Sequence, residues 1–118
     1  LPSVKKAGAK VEVLYYDAKA WTGLKVGQEK YFPTWVLPEG HKLVQAGVKA
    51  GIVALGKKPI VDKWVFSTNG VASAGRLKIP TIGFGPSNEV YAHTVNENMP
   101  VSHLLKAAVF YAALPQYL

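Results

Sequence analysis

Three side chains in this sequence invite a chemical reading before any fold is considered: His93, Arg76 and Glu97. His93 stands in a polar stretch rich in Gly, Pro and Asn, residues 85–98 (GPSNEVYAHTVNEN), between an apolar segment and a helix. Loops so placed are where site residues concentrate. An imidazole there can ligate a metal or exchange a proton, or it can be an ordinary surface histidine in a turn. Arg76 is a single arginine beside thirteen lysines. Its planar fork of donors suits a carboxylate ligand, and it suits an ion pair or a helix-terminal charge equally well. Asn69-Gly70, with Val71 after it, reads either as a plain turn or as a loop offering amide N–H groups to an oxyanion. Glu97 is either an acid standing behind a ligand or a charge that favours the start of the last helix. His41 opens a helix and His103 lies off the apolar stripe of another, so both read as solvated.

No complete catalytic set accompanies these residues. The chain has no cysteine, which excludes disulfides, thiolate ligands and a thiol nucleophile. Ser67, Ser73, Ser87 and Ser102 stand in no nucleophile-elbow context. A zinc site takes about four ligands. Three scattered histidines, with no His-x-Asp and no His-Glu-x-x-His, do not supply them. If the chain works in catalysis it contributes part of a site, and no catalytic residue lies within it.

The elements that must position these residues follow from periodicity and breakers. Residues 10–17 (KVEVLYYD) alternate apolar side chains at period two and read as a strand. Residues 18–38 carry Gly23, Gly27, Pro33 and Pro38 and no sustained period, so they read as a long crossing between domains, pinned by Trp21, Tyr31, Phe32 and Trp35. From His41 to Leu55 the apolar residues Val44, Val48, Ile52 and Leu55 recur at helical spacing, with Gly56 as a left-handed stop and Pro59 beyond. Residues 63–68 (KWVFST) and 81–85 (TIGFG) read as short buried strands, and residues 69–78 as a turn and short helix. Pro100 to Leu114 is the clearest helix, with Val101, Leu104, Leu105, Ala108 and Ala112 as its apolar stripe and Pro115 ending it. After residue 40 this order of helices and strands predicts an α/β layer. Ligands bind off the carboxyl ends of strands in such sheets. Parallel neighbours at 63–68 and 81–85 would bring Asn69, Arg76, Glu89, His93 and Glu97 to one rim.

Size and charge bound the rest. At 118 residues and 12.8 kDa the chain has the size of one ordinary domain, and 49% hydrophobic residues suffice for a core. Its longest apolar run, residues 107–114, is far below the ~20 residues of a membrane helix. The net charge is +7, but it comes from scattered lysines, with +6 in residues 1–63 and +1 in residues 64–118. Base readout and bidentate phosphate contact favour arginine. The expectation is therefore neither nucleic acid nor membrane. The opening Leu-Pro-Ser-Val is neither a Met start nor a signal peptide, which reads as a processed piece.

The stretch FSTNGVASAGRLKIPTIGFGPSNEVYAHTVNENMPVSHLLKAAVFYAAL, residues 66–114, resembles the C-terminal end of the dinuclear-zinc deacylase and peptidase family. That family includes acetylornithine deacetylase, succinyl-diaminopimelate desuccinylase and glutamate carboxypeptidase. The ordered features are Gly75-Arg76, Gly85-Pro86, and His93 followed by Asn96-Glu97. YYDAKAWTG and YFPTW upstream resemble the last strand of the family's inserted lid domain and the return to its catalytic domain. The nearest branch in pattern is the selenium-metabolism-linked hydrolases.

The resemblance implies an α/β fold, namely the C-terminal part of a zinc-peptidase-like α/β catalytic domain plus the last strand of an inserted α+β lid. It places the end of the lid and the crossover at residues 1–37 and the catalytic-domain segment at 38–118. It implies that His93 is a metal ligand, with Glu97 behind it, and that Arg76 holds a substrate carboxylate. Asn69, Gly70 and Val71 would line the substrate pocket. Two zinc ions are implied for a complete site, with cobalt or manganese able to replace them. The substrate would be a small N-acyl amino acid or peptide, and the complete enzyme a cytoplasmic homodimer. The family's other ligands and its general base have no counterpart in this sequence. The remaining N-terminal polypeptide is therefore an implied partner, and the chain alone is expected to be inactive. Two departures stand out: Ala74 replaces the Asp that precedes Gly-Arg in the desuccinylases, and Gly70-Val71-Ala72 replaces their Gly-Gly-Thr. The alternative is a non-catalytic basic binding module.

Overall fold

A computed structural model describes residues 2–118. It is mixed α/β and divides into two compact units, Leu1–Pro33 and Thr34–Leu118. The first unit holds a five-residue helix α1 (Pro2–Lys6) and an antiparallel hairpin of β1 (Tyr15–Lys19) and β2 (Lys25–Glu29). Tyr15 pairs with Glu29 and Lys19 with Lys25, and the Lys30 N–H donates to the Leu14 carbonyl to extend the ladder.

The hairpin corrects two expectations. The strand at 10–17 begins at Tyr15 and runs on to Lys19, and the crossing at 18–38 contains β2. The cause is the turn Trp21-Thr22-Gly23. The Gly23 N–H donates to the Ala20 carbonyl at 2.8 Å, and Gly23 takes φ +83°, which a glycine adopts at no steric cost. Gly27, read as a breaker, lies inside β2, where a Cβ would collide with the Tyr15 ring. The glycine lets the tyrosine lie across the neighbouring strand.

In the second unit, α2 (Lys42–Leu55) keeps nearly the boundaries its periodicity predicts. The His41 Nδ1 accepts the Leu43 N–H at its start, and Gly56 stops it at φ +70°. His41 is thus a half-buried cap and not a solvated side chain. The buried face of α2 is made of small residues: Val44, Ala46, Gly47, Ala50 and Gly51, while Ile52 of the predicted stripe is 44% exposed. Ile82 packs into the space at Gly47 and Pro59 into that at Gly51.

The last helix, α3 (Val101–Ala113), follows Pro100 and continues as a 3₁₀ turn, Leu114–Tyr117, that accommodates Pro115. Its buried residues are Ala107, Phe110 and Ala113. Ala50, Phe110 and Ala113 form the core, flanked by Ala54, Ile82, Phe84 and Leu114. The Phe84 and Phe110 rings stack with centroids 3.9 Å apart, and the Tyr111 hydroxyl donates to the Phe84 carbonyl. The stripe read from sequence is the opposite face: Val101, Leu104 and Leu105 are 80%, 49% and 70% exposed.

Residues 63–68 and 81–85 form no strand. They are irregular, with a bend at Val65 and Phe66, and Trp64 covers Gly83 so closely that a Cβ there would overlap the indole. Trp64 also stacks on Phe66. A strand exists only when a neighbour supplies the other half of its ladder, and neither segment finds one among the described residues. The hairpin is the one sheet they contain.

Candidate functional site

Every residue singled out for chemistry falls in the second unit, on two separate stretches. The first is the turn after Phe66. Thr68 organises its start by accepting the Gly70 N–H on Oγ1 at 3.2 Å and the Val71 N–H on its carbonyl at 3.0 Å. Those two amides are therefore already engaged, and Asn69-Gly70 is the entry to a helical turn. The turn itself, Val71–Arg76, is a π-helix, with the Leu77 N–H reaching back to the Ala72 carbonyl. Such wide turns occur often at functional sites. Ala74 and Gly75 are buried beneath it, and Arg76 projects from its last position as an exposed residue.

Two contacts hold this turn in place. The Trp35 indole lies against Gly70, where a Cβ would stand 2.1 Å from the ring, and its Nε1–H donates to the Thr81 carbonyl at 2.9 Å. The Thr81 hydroxyl meets the Ser73 hydroxyl at 2.9 Å. Trp35, expected from sequence to pin a connection, thus pins the turn that follows Gly70.

The second stretch is the loop of His93. It is an Ω-loop closed at its neck by Ser87, whose hydroxyl donates to the Asn98 carbonyl at 2.9 Å and whose N–H donates to the His103 Nδ1 at 3.3 Å. Inside the loop, Asn88 caps a short 3₁₀ turn, Glu89–Tyr91, by accepting the Val90 N–H. The Thr94 hydroxyl donates to the Tyr91 carbonyl, and Glu97 accepts the His93 N–H on Oε2 at 3.3 Å. Loops of this kind build structure from their own side chains.

Backbone strain marks the same loop. His93 takes φ +61° and Ser87 φ +84°, and Lys78, at the exit of the π-turn, takes φ +59°. A residue with a Cβ pays roughly 1–2 kcal/mol for the left-handed region. Such positions persist where their surroundings over-determine them, as Glu97 does for His93 and Asn98 with His103 does for Ser87.

His93 is exposed, and the acid that the loop brings to it is Glu97. Among the described residues no three His, Asp or Glu side chains come close enough to hold a metal. The structure brings Glu97 to His93, and it places Asn69, Gly70, Val71 and Arg76 along the separate π-turn. Sequence reasoning missed two residues. Ser87 stands in no nucleophile context and His103 lies off the apolar stripe, yet together they close the loop neck. The signal lay in Gly85-Pro86-Ser87-Asn88, a turn sequence ending in a helix cap.

No helix among the described residues is long and apolar enough to cross a membrane. No family model and no solved structure matches the chain. It is similar to the uncharacterized protein YgeY of Escherichia coli strain K12, with 52% identity over 115 residues, and equally to YgeY of Escherichia coli O157:H7. The match takes in 98% of this chain and 28% of either relative. The chain therefore spans 28% of the length of the curated relatives it matches.

Proposed function

We propose that this chain is the C-terminal portion of a zinc-dependent amidohydrolase, a deacylase or peptidase acting on an N-acyl amino acid or small peptide. In this reading it contributes one metal-ligating histidine, His93, and one arginine for the substrate carboxylate, Arg76. The observation that carries the reading is the state of His93: an exposed imidazole at φ +61° on a loop closed by Ser87 and buttressed by Glu97. A loop tied at its neck and inside it can hold an exposed imidazole in place for a metal.

The donor set fits a share of a zinc site. Imidazole is a preferred zinc donor, and the other ligands would come from the polypeptide that the relatives have and this chain does not. A bound zinc supplies a nucleophile at neutral pH and polarises an amide carbonyl. The chain's own residues have simpler tasks. The Glu97 carboxylate accepts the His93 backbone N–H and so ties that residue into the loop. The Arg76 guanidinium, at the end of the π-turn, orients a substrate carboxylate by charge and bidentate geometry. Asn69, Gly70 and Val71 shape the wall beside it. Ala74 is 7% exposed, so a methyl group fills a position where the desuccinylases carry a carboxylate, and the substrate preference of those enzymes does not carry over.

The test is a chimera: the Escherichia coli K12 relative with its matching segment replaced by this chain. The parent chimera should bind zinc and hydrolyse members of a panel of N-acyl amino acids. Substituting His93→Gly relaxes the backbone, so the folded protein should be no less stable, while bound metal falls and hydrolysis drops at least about 100-fold. A His93→Gly chimera with unchanged metal content and turnover would refute the assignment.

A further inference from the structure

We infer that His103 is a proton-operated latch on the neck of the His93 loop: its neutral ring holds the loop closed at Ser87, and its protonated ring releases it. The inference concerns the closing of the loop and stands whatever His93 binds. Ser87 is tied by two bonds, its hydroxyl to the Asn98 carbonyl at 2.9 Å and its N–H to the His103 Nδ1 at 3.3 Å. The second bond requires a lone pair on Nδ1, so the ring proton sits on Nε2. A further proton can enter only at Nδ1, and an imidazolium has no acceptor left. The ring would then oppose N–H to N–H, at a residue that already holds φ +84° against its steric preference. The charge would also enter the first turn of α3, the end of a helix that favours negative charge, and no acid stands in that turn. Both effects act in one direction: acid opens the neck.

The neighbouring groups do not duplicate this device. His103 is half-buried, and among the described residues no carboxylate forms an ion pair with its ring. The loop packed against it carries Glu89, Tyr91, His93 and Glu97, and its own helix and the turn beyond carry Lys106, Tyr111 and Tyr117. Helix α2, which packs on α3, carries Lys42 and Lys49 behind the cap His41. Carboxylates, ammonium groups and phenols of the ordinary kind keep their charge between about pH 5 and 8, whereas an imidazole changes it there. Three imidazoles are therefore to be separated. The His41 Nδ1 accepts the Leu43 N–H and belongs to the start of α2. His93 joins the bonds of the loop through its backbone N–H, which donates to Glu97. The His103 ring is the one whose nitrogen accepts from the neck.

The experiment follows amide hydrogen exchange by NMR in the 118-residue chain from about pH 8 to pH 5, with a chelator present so that metal plays no part. Each rate is referred to that of an unstructured peptide at the same pH, which removes the catalysis by base. On acidification the protection of Ser87 and of the bonded amides of residues 90–94 should fall by about 3- to 10-fold, the worth of one net hydrogen bond, while Ala50 at the middle of α2 keeps its protection. His103→Asn offers an amide oxygen in place of Nδ1, an acceptor at every pH, and His103→Ala offers none. Loop protection should be flat with pH in both, with His103→Ala at the level that the unsubstituted chain reaches in acid. His93→Asn, a residue that tolerates the left-handed backbone at that position, should keep the fall. Loop protection that does not change with pH would overturn the inference. So would a fall that persists in His103→Asn or His103→Ala, or one that vanishes in His93→Asn, because another group would then govern the neck.

Discussion

Replacing Phe110 by alanine decides which face of α3 forms the core, because periodicity and structure order the residues of that helix in opposite ways. Phe110 is 3% exposed and stacks on Phe84 at 3.9 Å between ring centroids. Truncating such a ring costs about 3–5 kcal/mol, of which the aromatic pair accounts for roughly 0.5–1.5. Leu105 is 70% exposed, so its truncation removes little buried surface and should cost no more than about 0.5 kcal/mol. Small proteins hold about 5–15 kcal/mol in total, so Phe110→Ala leaves a chain close to unfolding and Leu105→Ala leaves it nearly unchanged. The assay is urea unfolding of the 118-residue chain, read by circular dichroism. With a slope of about 1 kcal/mol per molar, Phe110→Ala should lower the midpoint by roughly 3 M or more, and Leu105→Ala by less than about 0.5 M. Equal shifts, or a larger one for Leu105→Ala, would refute the burial argument and return the core to the stripe read from sequence.

Three other substitutions probe the positioning of the candidate site. Gly70→Ala sets a Cβ 2.1 Å from a Trp35 ring that is tied to Thr81, so it should cost about 1–3 kcal/mol and change the tryptophan emission spectrum. Gly47→Ala meets the flexible end of Ile82 instead. The helix-propensity gain of up to about 1 kcal/mol should offset that contact and leave the urea midpoint nearly unchanged. Ser87→Ala removes the hydroxyl that closes the His93 loop, and amide exchange should accelerate across residues 88–97 while α2 keeps its protection.

Much of the local structure was legible in the residues themselves. Helix α2 could be read to within a residue because His41 and Gly56 mark its ends chemically, and α3 because Pro100 starts it. The loop of His93 could be read as a loop because its composition is that of turns. The hairpin escaped because Trp21-Thr22-Gly23 is a three-residue turn with one glycine, a weaker signal than Asn-Gly, and Gly27 looked like a second breaker. The failure on α3 was of another kind. Both faces of the helix are apolar, so hydropathy cannot say which meets α2. That choice rests on packing: Ala50 of α2 is small enough for Phe110 and Ala113 to pack against it, with Phe84 stacked on Phe110.

By itself, the sequence determined where the chain turns helical, where it breaks, and which side chains could bear chemistry, since each of these depends on neighbours a few residues away. Only the tertiary structure decided that residues 63–68 and 81–85 lack a ladder, that α3 turns Phe110 inward, and that Ser87 and His103 close the loop carrying His93. These are matters of pairing between distant segments. A strand needs a partner, a core needs a second surface, and a loop neck needs a donor and an acceptor brought together from 16 residues apart. Nothing in the local pattern specifies who that partner is.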